Sequence, residues 1–121
     1  YSPNCIHARP EDLCKAAKAF PDTKFVLAHM GGLRLWDDVE KYLLGLNNIY
    51  FDTAVCATYG LQKEQAKRII SKHPSENILL GSDCPWEDVN LTIKFIESFD
   101  ISDDYKEKIF YKNAKTLLNI Q

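Results

Sequence analysis

The sequence predicts an α/β fold built on a parallel sheet, and three observations predict it. Short apolar runs alternate with segments of helical periodicity, as parallel strands joined by helical crossovers do. Each run ends on a polar side chain that can do chemistry: Phe25-Val26-Leu27-Ala28 on His29, Ile49-Tyr50-Phe51 on Asp52, and Ile78-Leu79-Leu80-Gly81-Ser82 on Asp83. These ends recur after about 23 and then about 31 residues, the spacing of successive strand-helix units. In parallel α/β folds catalytic groups gather at the carboxyl ends of strands, so a histidine and two carboxylates placed there read as a site.

Each element has its own local cause. Pro10 suits a first helical turn, and Glu11 and Asp12 follow where the helix dipole favours acids, so a helix is expected over residues 10–20 with Leu13, Ala17 and Phe20 inward. Pro21-Asp22 breaks it. Residues 24–28 read as a strand buried on both faces, and Gly31-Gly32 ends that signal. Leu35, Trp36, Val39, Tyr42, Leu43 and Leu46 then recur at helical spacing, with Asp37, Asp38, Glu40 and Lys41 between them. That pattern predicts an amphipathic helix laid on the sheet. Asn47-Asn48 turns the chain into a second strand over 49–52. A polar helix over 62–72 follows, burying Ala66, Ile69 and Ile70, and His73-Pro74 closes it. The third strand, over 78–82, stops at Cys84-Pro85-Trp86. Val89, Ile93 and Ile96 mark another helix, and residues 103–110 and 113–118 read as two short ones.

Composition narrows the function classes. At 121 residues with 45% hydrophobic content, one domain with a sizeable core is expected. The 15 basic and 17 acidic residues are spread along the chain, leaving no basic stripe for a phosphate backbone, so no nucleic-acid partner is expected. No apolar run approaches the roughly 18 residues that span a bilayer, and no signal-peptide pattern occurs; the expectation is a cytoplasmic protein with no membrane partner. Cys5, Cys14, Cys56 and Cys84 are too far apart for a zinc ribbon or a redox pair and read as reduced thiols; Cys84, next to Asp83, reads either as a pocket residue or, more commonly for such a thiol, as a buried, inert one. The chain opens on Tyr1 and its only methionine is Met30, so a longer translation product is expected.

Four motifs carry a resemblance: Ala28-His29-Met30-Gly31-Gly32, Asn48-Ile49-Tyr50-Phe51-Asp52-Thr53, Gly81-Ser82-Asp83-Cys84-Pro85-Trp86 and Asn113-Ala114-Lys115-Thr116-Leu117-Leu118. In this order and spacing they resemble the amidohydrolase-related (amidohydrolase 2) family of metal-dependent hydrolases. The resemblance implies a partial (β/α) TIM barrel whose three parallel strands correspond to strands six to eight, with residues 1–121 forming one C-terminal fragment. The family's His-x-His pair on its first strand is absent from this sequence. His7 is a tempting substitute for the family's fifth-strand histidine, but it reads as part of a loop before the first helix.

The resemblance also implies roles. Asp83 matches the eighth-strand aspartate that binds a divalent metal, most often zinc, and accepts a proton from the metal-bound water. A cation of this kind lowers the pKa of its water toward about 7, and a carboxylate in hydrogen-bond reach can shuttle the proton. The residue alone would equally cap the turn before Pro85. His29 matches a sixth-strand histidine that hydrogen-bonds the water or the developing oxyanion. Asp52 reads either as a turn cap or as a pocket lining. Trp36 belongs to the inward stripe of its helix, Trp86 is a candidate substrate wall, and Arg34 is either a surface residue or a partner for an anionic group. The function implied is the C-terminal part of a hydrolase acting on a C–N or ester bond of a small molecule, with decarboxylation as a variant. A receiver-like or partner-binding α/β module is the alternative, to be told apart by strand count and by whether His29 and Asp83 share one pocket. A three-strand barrel portion is further expected to self-associate or to pair with a missing N-terminal barrel segment.

Overall fold

In the computed structural model, which describes residues 8–121, the predicted alternation is present throughout. The chain runs α1 (Pro10–Ala19), β1 (Phe25–Leu27), α2 (Trp36–Tyr42), β2 (Ile49–Asp52), α3 (Lys63–Lys72), β3 (Ile78–Leu79), α4 (Val89–Glu97), α5 (Asp103–Glu107) and α6 (Asn113–Leu117). The three strands form one parallel sheet in the order β1-β2-β3. Each strand therefore neighbours the next in sequence, as in the wall of a barrel, whereas a doubly wound receiver-like sheet reverses its order at a switch point. His7 and Cys5 lie outside the described residues.

Register decides which face holds the core. Leu27 stands opposite Phe51, and Phe51 opposite Ile78. Side chains alternate along a strand, so Phe25, Leu27, Ile49, Phe51 and Ile78 share one face. Ile49, Phe51 and Ile78 are fully buried there, in one cluster with Val39 and Leu43 after β1 and Ile69 of α3. Each such side chain stabilises the fold by about 1.5–3 kcal/mol. The opposite face carries Val26, Tyr50, Asp52 and Leu79, and Val26 is 52% exposed. The expectation of a first strand buried on both faces is thus corrected at Val26, although Leu79 of β3 on the same face is buried.

Other departures have local reasons. Phe20 was expected inward, yet it is 62% exposed because α1 ends at Ala19 and Phe20 leaves helical geometry at φ −126°. The side-chain amide of Asn48 holds this end by donating to the carbonyls of Ala17, Phe20 and Thr23 at 2.9–3.2 Å. The first strand stops at Leu27, since His29, Met30 and Gly31 all take left-handed backbone angles that turn the chain out of the sheet. Val89 is exposed, and burial in α4 begins a turn later at Thr92 and Ile96.

The third strand is two residues rather than five, because the Thr53 hydroxyl accepts the Gly81 N–H that would continue the ladder with β2. Lys108–Lys112 is a π-helical turn, so the two short helices expected there form one continuous run from α5 into α6. The Asn113 N–H bonds the Lys108 carbonyl, five residues back, and so bypasses the Ile109 carbonyl. That carbonyl accepts the Leu80 N–H at 3.0 Å, which ties the tail to the edge of β3 that faces away from β2. No helix among the described residues is long and apolar enough to cross a membrane.

Candidate active site

His29 and Asp83 come from the two edge strands of the sheet, just beyond the carboxyl ends of β1 and β3. They line one cavity of about 500 Å³, together with Leu33, Val55, Tyr59 and Trp86. The polar pair expected to converge therefore does so, across the end of β2.

His29 is held at three points. Its N–H donates to Asp52 Oδ1 at 2.9 Å, and its carbonyl accepts from the Trp36 indole Nε1–H at 3.0 Å. Its ring Nδ1 lies 3.0 Å from the Ala54 carbonyl. A carbonyl only accepts, so Nδ1 carries the hydrogen and Nε2 is left as the basic nitrogen of the neutral ring. The same Asp52 Oδ1 also takes the Ala54 N–H at 3.0 Å, which closes the network. Together these bonds stabilise two consecutive non-glycine residues at positive φ, His29 at 59° and Met30 at 52°.

Asp83 sits in a different setting. It is exposed, has φ 61°, and closes a turn through its main chain, whose carbonyl accepts the Trp86 N–H at 2.8 Å. Its carboxylate has no hydrogen-bond or ion-pair partner among the described residues, so the turn is made by backbone and not by a side-chain cap. The segment leading to it is anchored by Thr53, whose hydroxyl donates to the Gly81 carbonyl and accepts the Gly81 N–H, both at 3.1 Å. The Cys84–Pro85 peptide bond that follows is cis.

The remaining candidates fall into place around this pair. Asp52 is a cap, as one of its two readings held, but it caps the β1 turn as well as its own. Trp36 is buried and also holds His29. Trp86 lines the cavity with 77% of its surface open. Arg34 is exposed, with its guanidinium 5.2 Å from the centre of the Tyr59 ring. Cys84 is exposed, correcting the expectation of a buried thiol, whereas Cys14 and Cys56 are buried and free. Burial, and then the charges of Asp52 and Glu87, push the Cys56 thiol far up, which keeps it protonated and inert.

Sequence reasoning missed Leu33, Val55, Tyr59 and Glu87. The first three belong to loops just beyond β1 and β2, and loop position at a strand's carboxyl end was the one available signal. Glu87 is 2% exposed, and its carboxylate accepts the Thr58 N–H at 2.9 Å and the Thr92 hydroxyl. It thereby staples the loop bearing Val55 and Tyr59 to the loop bearing Asp83 and Trp86. No spacing in the sequence announces that contact.

Among the described residues no three of His, Cys, Asp and Glu gather as a metal site. The donors present at the cavity are one open carboxylate and one imidazole nitrogen, which fit part of a catalytic donor set, typically three protein ligands, and not a whole one.

Comparisons extend this picture. A family model described as amidohydrolase matches residues 2–120. No curated protein sequence matches the chain. Among solved structures, a dihydroxybenzoic acid decarboxylase from Polaromonas sp. JS666, with bound manganese and the inhibitor 2-nitroresorcinol, superposes with a TM-score of 0.63 at 19% identity, over 86% of this chain and 36% of that one. The 5-carboxyvanillate decarboxylase of Sphingomonas paucimobilis gives 0.65 at 20% identity, over 90% and 37%. An amidohydrolase 2 from Bifidobacterium longum subsp. infantis gives 0.68 at 18%, over 93% and 46%. At such identities the likeness carries the fold, here a partial barrel. The chain spans less than half the length of each of these three structures.

Proposed function

Because the chain belongs to the amidohydrolase family, whose model matches it over residues 2–120, we propose that it forms the C-terminal part of the active site of a metal-dependent enzyme. Its reaction is hydrolysis of a C–N or ester bond or, as in the two decarboxylases it resembles in fold, loss of a carboxyl group. The observation that carries this reading is the shared cavity: His29 and Asp83, far apart in sequence, face the same space of about 500 Å³.

A divalent cation bound at such a site supplies Lewis-acid polarisation of a substrate oxygen and acidifies water. Zinc is the expectation from the resemblance, and manganese is what the Polaromonas enzyme holds. Within this chain Asp83 fits the part of one ligand, its carboxylate being open to the cavity, and its second oxygen can take a proton. His29 presents Nε2, which accepts a proton at that atom when the ring is neutral and donates one to developing negative charge when it is not. Leu33, Val55, Tyr59 and Trp86 supply an apolar wall that binds and orients the substrate body and excludes water from it.

The test is made on the intact enzyme with a panel of amides, esters and aryl carboxylates, alongside metal analysis after dialysis. Asp83→Asn is expected to lose the cation and about 100-fold or more in turnover, and His29→Asn to keep the cation and lose turnover. An Asp83→Asn enzyme that retains both metal and activity overturns the reading.

A further inference from the structure

We infer that Asp52 is a positioning residue which sets the tautomer and direction of the His29 imidazole. This rests on the reading of His29 as a group of the active site. The geometry is a closed loop of three hydrogen bonds between two neighbouring strand ends. One carboxylate oxygen, Asp52 Oδ1, accepts the main-chain N–H of His29 at 2.9 Å and of Ala54 at 3.0 Å, and the Ala54 carbonyl takes the His29 ring Nδ1–H at 3.0 Å. Asp52 thus fixes both the backbone that bears the ring and the carbonyl that the ring must find. With Nδ1–H committed, Nε2 is the nitrogen left for the cavity.

Two further features serve the same arrangement. Gly81, on β3's side of Asp52, leaves room for the carboxylate: a Cβ there would sit 3.2 Å from both Asp52 Cβ and Cγ. The Trp36 indole fixes the His29 carbonyl from the other side at 3.0 Å, so the main chain cannot pivot about the Asp52 bond. An aspartate serving only its own turn needs none of this, since the Ala54 bond alone closes an Asx turn.

The experiment separates these roles on the full chain, without metal or substrate, by nitrogen-proton correlation of the imidazole side chains above the histidine titration range. Wild type is expected to show His29 with hydrogen on Nδ1. His73 is the internal control for folding, since its Nε2 faces the Ile49 carbonyl and its Nδ1 accepts from Gly45, giving the opposite tautomer. Asp52→Ser keeps a side-chain oxygen for the Ala54 turn but is too short to reach His29. It is expected to release His29 toward the Nε2–H form that a free imidazole favours, while His73 is unchanged. Asp52→Asn keeps an acceptor oxygen of the same reach and is expected to restore the wild-type signature. A His29 that stays Nδ1–H in folded Asp52→Ser, or that is released equally in Asp52→Asn, overturns the inference. Should Asp52→Ser lose the His73 signal as well, the wild-type chain decides: the His29 amide is expected to be protected from hydrogen exchange, and exchange at the free-chain rate overturns the inference. Because the readout needs no turnover, its failure leaves the catalytic reading standing, and loss of the catalytic reading leaves the tautomer result standing.

Discussion

Single residues show how far identity alone specifies a role. Asp83 and His29 were legible because chemistry-bearing side chains after apolar strands collect at one end of a parallel sheet. Asp52 was not resolvable, since the same aspartate-threonine pair caps one turn or ties two strands depending on what lies opposite. His73 shows a role that burial confers. Its Nε2–H donates to the Ile49 carbonyl at 2.9 Å, its Nδ1 accepts from Gly45, and its ring lies 4.3 Å from that of Phe51. Burial holds its pKa below the ordinary value, with the Ile49 bond pulling weakly the other way. The unfolded chain therefore binds a proton at His73 before the folded one does, so this contribution to stability is complete above the unfolded pKa of about 6.5 and is lost as pH falls below it. Urea midpoints measured from about pH 7 down to about pH 5 are expected to fall in the wild type and to fall less in His73→Gln. Equal slopes in the two proteins would remove His73 as the cause.

Elements were legible where a period governs them. The trio Ala66, Ile69 and Ile70 folded as read, whereas the stripe expected as a helix from Leu35 to Leu46 is helical only over Trp36–Tyr42, with Leu46 beyond its end. Ends were less legible, because they depend on partners from elsewhere. The third strand stopped early when the Gly81 N–H found the Thr53 hydroxyl in place of a ladder carbonyl. Asn113 works in the same region: its side-chain amide donates to the carbonyls of Ser75 and Ile78, both at 2.8 Å, and so stitches α6 to the start of β3. Asn113→Ala leaves the buried Ile78 carbonyl without that donor and is expected to cost about 1–3 kcal/mol. Urea unfolding monitored by circular dichroism checks this, and a midpoint unchanged from wild type would show that the stitch carries no stability.

Across the whole molecule the exposed β1 end of the second sheet face dominates. Val26 is half exposed on it, and β1 and β3 are edges among the described residues. Parallel sheets of this class are ordinarily covered on both faces, and bare edges and apolar patches invite pairing with another chain. The 121-residue chain is therefore expected to self-associate as its concentration rises, and Val26→Lys is expected to weaken that association. Light scattering coupled to size exclusion measures both. A wild-type chain that stays monomeric at every concentration and binds no hydrophobic dye would argue against an open barrel wall.

The sequence by itself determined the alternation of helices and strands, the parallel sheet and the polar residues at its carboxyl end, because periodicity and strand-end chemistry are local properties. Only the tertiary structure decided that His29 and Asp83 share a cavity, that Asp52 holds the former and Thr53 the approach to the latter, and that Glu87 joins their loops. Each of those contacts spans a distance in sequence that no local pattern encodes, and each exists because strand register brings the three carboxyl ends side by side.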